Sequence, residues 1–195
     1  MDKFTTLTSG IIPLPIENID TDQIIPARFL KATSKEGFGD DLFRDWRYDK
    51  NNQPIASFVL NNPAYKGEIL VAGKNFGSGS SREHAAWAIA GYGLKVVVSS
   101  SFGDIFKNNA MNNFVLPVVV SDTFLAGIFD GVNQNPQMTL TVDLENQQIT
   151  NNDTGKWEGF AISSYKKECF LNGFDDIDYL LNHKHLIERY EIERG

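Results

Sequence analysis

This 195-residue chain has one cysteine, Cys169, and three histidines. A single thiol forms no intramolecular disulfide, and it cannot by itself supply the several thiolates that an iron–sulfur cluster needs. His84 stands alone, and His183 and His185 are two apart on an expected helix, so they face different directions and make no metal site. Basic charge is also scarce: 18 Lys and Arg stand against 25 Asp and Glu, a net charge of −7 with pI near 4.9. That balance argues against nucleic acid, whose phosphates call for a basic face. No apolar run approaches the roughly 20 residues that span a bilayer, so no membrane segment is expected. The opening MDKFTTLTSG lacks the apolar core of a signal peptide, and the chain is expected to be cytoplasmic.

What the chain does contain is 42% hydrophobic residues, enough to fill a substantial core in one domain covering 1–195. No internal repeat or long linker divides it. Its most informative stretch runs from Glu68 to Ala86 and reads EILVAGKNFGSGSSREHAA. Ile69 to Ala72 is a short apolar run, as in a buried strand. Ala85, Ala86, Ala88, Ile89 and Ala90 form a helical stretch that stops at Gly91 and Gly93. Between them Gly73, Gly77 and Gly79 permit backbone shapes closed to other residues and free N–H groups for a ligand. Ser80 followed by Glu83 fits a capping box, which places Ser80, Ser81 and Arg82 at the positive end of a helix. Two hydroxyls and a guanidinium suit a carboxylate, because arginine binds one in a two-pronged, charge-assisted pair.

Three familiar loops fail here. Lys74 precedes the glycines, whereas a Walker A lysine follows them; the acidic residue of a dinucleotide site is replaced by Ser99 to Ser101; and no glycine follows Ser80 or Ser81 as in a nucleophile elbow. A purely structural turn accounts for the glycines, Ser80 and Glu83 without a ligand. It does not account for Arg82, because a cation in the first turn is disfavoured by roughly 0.3 to 1 kcal/mol unless an anion binds there.

Along the rest of the chain, a strand is expected at Lys95 to Val98, which with the Ile69 to Ala72 strand and the helix after Arg82 makes a parallel β-α-β unit; a short helix at Ile105 to Phe114 and a strand at Val115 to Val120 follow. An antiparallel hairpin is expected over Met138 to Ile149, a strand at Trp157 to Ile162, and a C-terminal helix from Asp175 to Tyr190 with acids first and bases last. The TDQIIP segment is read as beginning near a strand end, with Pro26 stopping regular pairing. Residues 31–54 are polar and rich in glycine and aspartate, and read as a mobile excursion whose Phe38, Phe43 and Trp46 close over a site. Cys169 reads as a small core residue.

The segment GKNFGSGSSREHAAWA resembles the signature of the 3-isopropylmalate dehydratase small subunit, the swivelling domain of the aconitase superfamily. NIDTDQIIP (Asn18 to Pro26), FGDDLFRDWRYD (Phe38 to Asp49), SFGDIFKNNAMNNFVLP (Ser101 to Pro117) and CFLNGFDDI (Cys169 to Ile177) are similar to the same family in order and spacing. The likeness covers essentially the whole chain. Ser78 departs from it, standing where the family usually has a cysteine at a position without a chemical role.

The resemblance implies a layered β/β/α swivelling domain, a mixed sheet with a parallel β-α-β core. It implies a hydro-lyase that moves a hydroxyl between adjacent carbons of a malate-type dicarboxylate, in leucine biosynthesis. Ser80 is implied as the base that takes the carbon-bound proton, Asp22 as an orienting or pairing acid, and Ser81 and Arg82 as carboxylate ligands. Arg28 is a further candidate ligand, and Gly77, Gly79, Glu83 and His84 are supporting residues. Asp22 reads equally well as a capping or turn aspartate. No metal or cofactor is expected on this chain; a 4Fe-4S cluster is implied on a large-subunit partner, in a heterodimer or a dimer of heterodimers. Related readings change the substrate to homoaconitate or citraconate and methylmalate. A reading of another class is a non-catalytic carboxylate sensor.

Overall fold

The computed structural model describes residues 2–31 and 34–194. Residues 32 and 33, inside the expected 31–54 excursion, lie outside the described residues. A seven-stranded sheet runs in the order β4-β3-β2-β1-β5-β6-β7, with β1 Thr6–Leu14, β2 Ile69–Ala72, β3 Val96–Ser99, β4 Leu116–Val119, β5 Thr139–Asp143, β6 Gln148–Asn151 and β7 Trp157–Gly159. The mixed sheet with a parallel core follows the expected fold class.

The strand β1 joins two halves of opposite character. Its first part pairs antiparallel with β5, from Thr6 opposite Asp143 to Gly10 opposite Thr139. Its second part pairs parallel with β2, from Ile11 opposite Ile69 to Leu14 opposite Ala72. Pro13 lies past the residues that pair with β5, so its missing N–H faces the side that has no ladder to complete. The parallel strands β2 and β3 are buried on both faces and are accordingly apolar, apart from the buried Ser99 that ends β3, whereas β5 alternates buried Leu140 and Val142 with half-buried threonines.

Alternation along the strands feeds two cores. One takes Ile12, Leu14, Leu70, Ala72 and Val97, covered by α3 Glu83–Tyr92, α4 Asp104–Asn112 and the segment between β1 and β2. The other takes Ile11, Ile69, Val71, Val96 and Val98 from the parallel half. It adds Leu140, Val142 and Ile149 from the antiparallel half, and Leu125, Ile128 and Val132 of α5 Asp122–Gln134. Side chains of both halves thus meet in one core, which is the physical content of the layered reading.

Three expectations are corrected. The TDQIIP segment, read as beginning near a strand end, starts well past Leu14, where β1 ends, and forms one turn of helix, α1 Thr21–Ile24, because Asp20 accepts from Gln23 N–H at 2.8 Å and Gln23 Oε1 accepts from Asp20 N–H at 2.9 Å, closing a capping box. The aromatic residues given to a lid are core anchors instead: Phe38 and Phe43 are buried, and Trp46 stacks on Phe43 at 5.6 Å just after α2 (Arg44–Arg47) begins. The expected C-terminal helix is two helices, α7 Asp176–Asn182 and α8 Lys184–Arg194. His183 ends α7, its N–H returning to the carbonyls of Tyr179 and Leu180. A further helix, α6 Ser164–Asn172, capped by Ser163, buries Cys169 and Phe170 as the small-core reading of Cys169 expects. Among the described residues, no helix is long and apolar enough to cross a membrane.

Candidate active site

The loops that follow β1, β2 and β3 meet at the carboxyl ends of these parallel strands, the usual place for a ligand crevice in an α/β sheet. The β2–α3 loop, residues 73–82, is laced to both neighbours. Toward the β1 loop, Asn18 N–H donates to Lys74 O at 2.8 Å, Gly77 N–H to Ile19 O at 2.7 Å and Thr21 N–H to Ser78 O at 2.9 Å. Toward the β3 loop, Phe76 N–H donates to Ser101 O at 3.1 Å, Gly103 N–H to Phe76 O at 2.9 Å, and Asn75 N–H to the Ser101 hydroxyl at 2.9 Å. A loop held by its backbone on two sides is a rigid support for side chains.

Two glycines make this course possible. Gly77 has φ +73°, and a Cβ there would lie 2.2 Å from Cγ of Phe106. Gly79 has φ +94°, and a Cβ there would make only ordinary contacts, the nearest with Asp20 Cβ at 3.5 Å. Gly77 therefore serves close packing as well as conformation, and Gly79 conformation alone.

The side chains of interest leave this frame. Arg82 is the N-cap residue of α3, with φ −76° and ψ 105°. The expected Ser80–Glu83 capping box is absent: the α3 N-cap has no side-chain cap bond. Glu83 is occupied otherwise, accepting from Asn113 Nδ2 at 3.2 Å and Trp87 Nε1 at 3.1 Å. The Asn113 amide first, and the Trp87 indole after it, hold its carboxyl below the usual carboxylate range against the opposing effect of burial. Lys35 completes the group, donating to Asn113 Oδ1 at 2.8 Å.

Arg82 meets Asp22 of α1 in an ion pair, an ionic contact rather than a directed hydrogen bond. Asp20 takes the capping task on α1, which leaves Asp22 free for this pair and decides against reading Asp22 as a cap. Ser80 and Ser81 are exposed at the loop's end. Thr21, buried beneath them, touches the Ser80 carbonyl at 3.2 Å and the Ser80 hydroxyl at 3.3 Å. The sequence reading missed Thr21, since nothing in a D-T-D string tells which of three polar residues turns inward.

The other named residues fall into two groups. His84 packs against Phe38 and Trp87, with ring centroids 5.4 and 4.5 Å away. Arg28 lies on a 3₁₀ turn, Ala27–Phe29, with both terminal nitrogens of its guanidinium directed at Asp45, Nη1 donating to Oδ2 at 3.1 Å. That bond from Arg28 is the main reason the Asp45 carboxyl sits below its ordinary range. The structure thus gathers Asp22, Ser80 and Arg82, with Thr21 beneath them, and it pairs Arg28 with a separate acid.

A cationic side chain at the mouth of a glycine loop, next to two exposed hydroxyls and a helix N-terminus, can receive a carboxylate. Comparison with known proteins places the chain in a family. The aconitase C-terminal domain model matches residues 1–123, and a second model, described as LeuD_N, matches residues 126–163. The chain is 74% identical over 192 residues to the 3-isopropylmalate dehydratase small subunit of Azobacteroides pseudotrichonymphae genomovar. CFP2, covering 98% of each chain. It is 62% identical over 191 residues to the protein of that name from Cytophaga hutchinsonii, covering 98% of this chain and 95% of the relative. A crystal structure of 3-isopropylmalate dehydratase from Methanocaldococcus jannaschii, 24% identical, shares the fold with a TM-score of 0.67 over 95% of this chain and 99% of that one. With an aconitase C-terminal domain match over more than half its length and such identity from end to end, the chain belongs to the 3-isopropylmalate dehydratase small-subunit family.

Proposed function

We propose that this chain is the small subunit of a 3-isopropylmalate dehydratase of leucine biosynthesis, a single swivelling domain that supplies the base and the carboxylate clamp of a reversible dehydration. One observation carries the reading: the Ser80–Arg82 segment stands at the carboxyl ends of the parallel strands with Asp22 paired to Arg82, in a chain 74% identical to a protein of that name. The carbon-bound hydrogen next to a carboxylate is weakly acidic, so the developing charge needs donors aimed at the carboxylate oxygens. Ser81 and Arg82 supply them. Ser80, as alkoxide, takes the proton from carbon, hydroxide leaves the adjacent carbon, and the unsaturated acid is rehydrated in the other sense. Gly77 and Gly79 shape the loop, while Glu83 and His84 anchor the start of α3.

Departure of hydroxide calls for a Lewis acid. Among the described residues, no group of three His, Cys, Asp or Glu side chains could hold a metal ion, and the sole cysteine is buried. This chain does not fit a 4Fe-4S cluster, and we assign the cluster to a large-subunit partner, the two chains forming a heterodimer or a dimer of heterodimers in the cytoplasm. The test is turnover of 3-isopropylmalate, citrate and homocitrate by this chain alone and after anaerobic mixing with a cluster-loaded large subunit. Turnover of isopropylmalate in the mixture and in neither part alone is the expected result. A stable complex that turns over none of the three overturns the reading in favour of a carboxylate sensor.

A further inference from the structure

The α1 turn sends two adjacent side chains into the β2–α3 loop. Asp22 goes to Arg82, and Thr21 goes to Ser80. Thr21 is 1% exposed, whereas Asp22 and Gln23 beside it are exposed. A threonine at the first position of a helix has an obvious local use in capping, but Asp20 already holds that position, accepting from Gln23 N–H at 2.8 Å. The Thr21 hydroxyl is therefore free of its own helix and turns to a residue 59 positions away.

We propose that Thr21 is a positioning residue for Ser80, aiming its hydroxyl and stabilising its ionised form. This rests on the assignment of Ser80 as the base. A threonine hydroxyl has one proton to give and two lone pairs to receive. With that proton donated to the Ser80 carbonyl at 3.2 Å, the contact at 3.3 Å is the Ser80 O–H donating to Thr21 Oγ1. The arrangement points the Ser80 proton inward and leaves its lone pairs toward the open side, where a substrate carbon would sit. Once Ser80 has lost its proton, rotation about the Thr21 Cβ–Oγ1 bond redirects the Thr21 proton to the alkoxide, a hydrogen bond to the charged form that favours it. The backbone holds this pair in place, with Thr21 N–H donating to Ser78 O at 2.9 Å and Gly79 lying over the threonine, where a built Cβ would stand 3.7 Å from Oγ1.

The experiment compares Thr21→Val, Thr21→Ser and Ser80→Ala in the reconstituted two-subunit enzyme with 3-isopropylmalate. Thr21→Val keeps the shape and removes the hydroxyl, and its kcat is expected to fall about 10- to 100-fold with KM changed by less than about threefold, the loss of one hydrogen bond to a charged group. Thr21→Ser restores the hydroxyl and is expected to recover kcat to within about threefold of the parent. A Thr21→Val enzyme with unchanged kcat, or a Thr21→Ser enzyme as slow as Thr21→Val, overturns the positioning role and leaves a packing one. Ser80→Ala separates the premise: inactive Ser80→Ala beside active Thr21→Val refutes the role of Thr21 alone, while active Ser80→Ala refutes the base assignment and this inference with it.

Discussion

Arg82 and Asp22 form an ion pair that bridges the β2–α3 loop and the α1 turn, with the arginine side chain largely covered and the aspartate half exposed. The pair solves the problem raised by a cation at a helix N-terminus: Asp22 offsets the repulsion from the dipole. Arginine can contact Asp22 and a carboxylate at once through its fork of donors, which an ammonium cannot. Arg82→Lys in the reconstituted enzyme is therefore expected to lower kcat/KM for 3-isopropylmalate roughly 10- to 100-fold while the thermal midpoint of the isolated chain changes little. Steady-state kinetics beside a melting curve check it, and unchanged kcat/KM would remove Arg82 from the clamp.

The two loop glycines separate strain from crowding. Gly79→Ala places a Cβ at positive φ without a clash, at ordinary contact distance from Asp20 and Thr21, and is expected to cost about 1 to 2 kcal/mol of stability. Gly77→Ala adds to that strain a clash with the ring of Phe106, which is buried between Phe76 and Phe102 and has nowhere to go. A total of roughly 3 kcal/mol or more is expected there, since overpacking contributes about 1 to 3 kcal/mol of its own. Denaturant unfolding of the two variants gives the comparison directly, and equal losses would contradict it.

The legible parts of the molecule were those in which a local signal had no competitor. Ile69 to Ala72 is apolar at every position and is strand β2; Ala85 to Ala90 lies within α3, which ends on the left-handed Gly93. The Ser80–Glu83 pair misled because a capping box competes with distant partners: Glu83 is claimed by Trp87 one turn on and by Asn113 at the end of α4, while the true box is formed by Asp20 and Gln23. Helix α5 was hidden by Gly127 and Gly131, which weaken propensity inside a helix held by Leu125, Ile128 and Val132. In 31–54 the polar composition concealed core residues, because Phe38 and Phe43 reach the interior while turn hydrogen bonds satisfy the N–H groups around them and one arginine takes three of the carbonyls.

That arginine is Arg47, whose Nη1 donates to the carbonyls of Gly39 at 3.2 Å, Asp40 at 3.3 Å and Leu42 at 3.2 Å. Its guanidinium also lies 4.8 Å from the ring of Tyr92 at the end of α3, so one buried cation fastens the 38–47 segment to the helix that carries Arg82. Arg47→Met retains much of the apolar stem and removes every donor; Gly39 O keeps the N–H of Leu42 and Asp40 is exposed, but the buried Leu42 carbonyl loses its partner at about 1 to 3 kcal/mol. The variant is expected to unfold at markedly lower denaturant concentration. Hydrogen exchange should show the added opening first in residues 38–61; uniform exchange across the chain would mean that Arg47 does not hold this segment in particular.

Acid is expected to release α7 before the rest of the molecule. No residue of α7 is buried, and Ile177, Leu180 and Leu181 are exposed, so its attachment is mainly polar: Lys166 Nζ donates to Asp176 Oδ1 and to Asn112 Oδ1, both at 2.7 Å, joining α6, α7 and α4. The Lys166 bond, with that from the Tyr165 hydroxyl, holds the Asp176 carboxyl below its usual range. A carboxyl whose folded pKa is depressed adds stability that is complete above its unfolded pKa of about 3.9 and disappears as pH falls through the folded value, because the unfolded chain binds the proton first. Protection of the amides of residues 176–182, relative to their intrinsic exchange at each pH, should therefore fall on acidification below about pH 4. Asp176→Asn should exchange faster at neutral pH and lack that part of the acid response, Asp175 and Asp178 being retained in both proteins. Parallel pH profiles for the two proteins would show that the Lys166–Asp176 contact contributes nothing to holding α7.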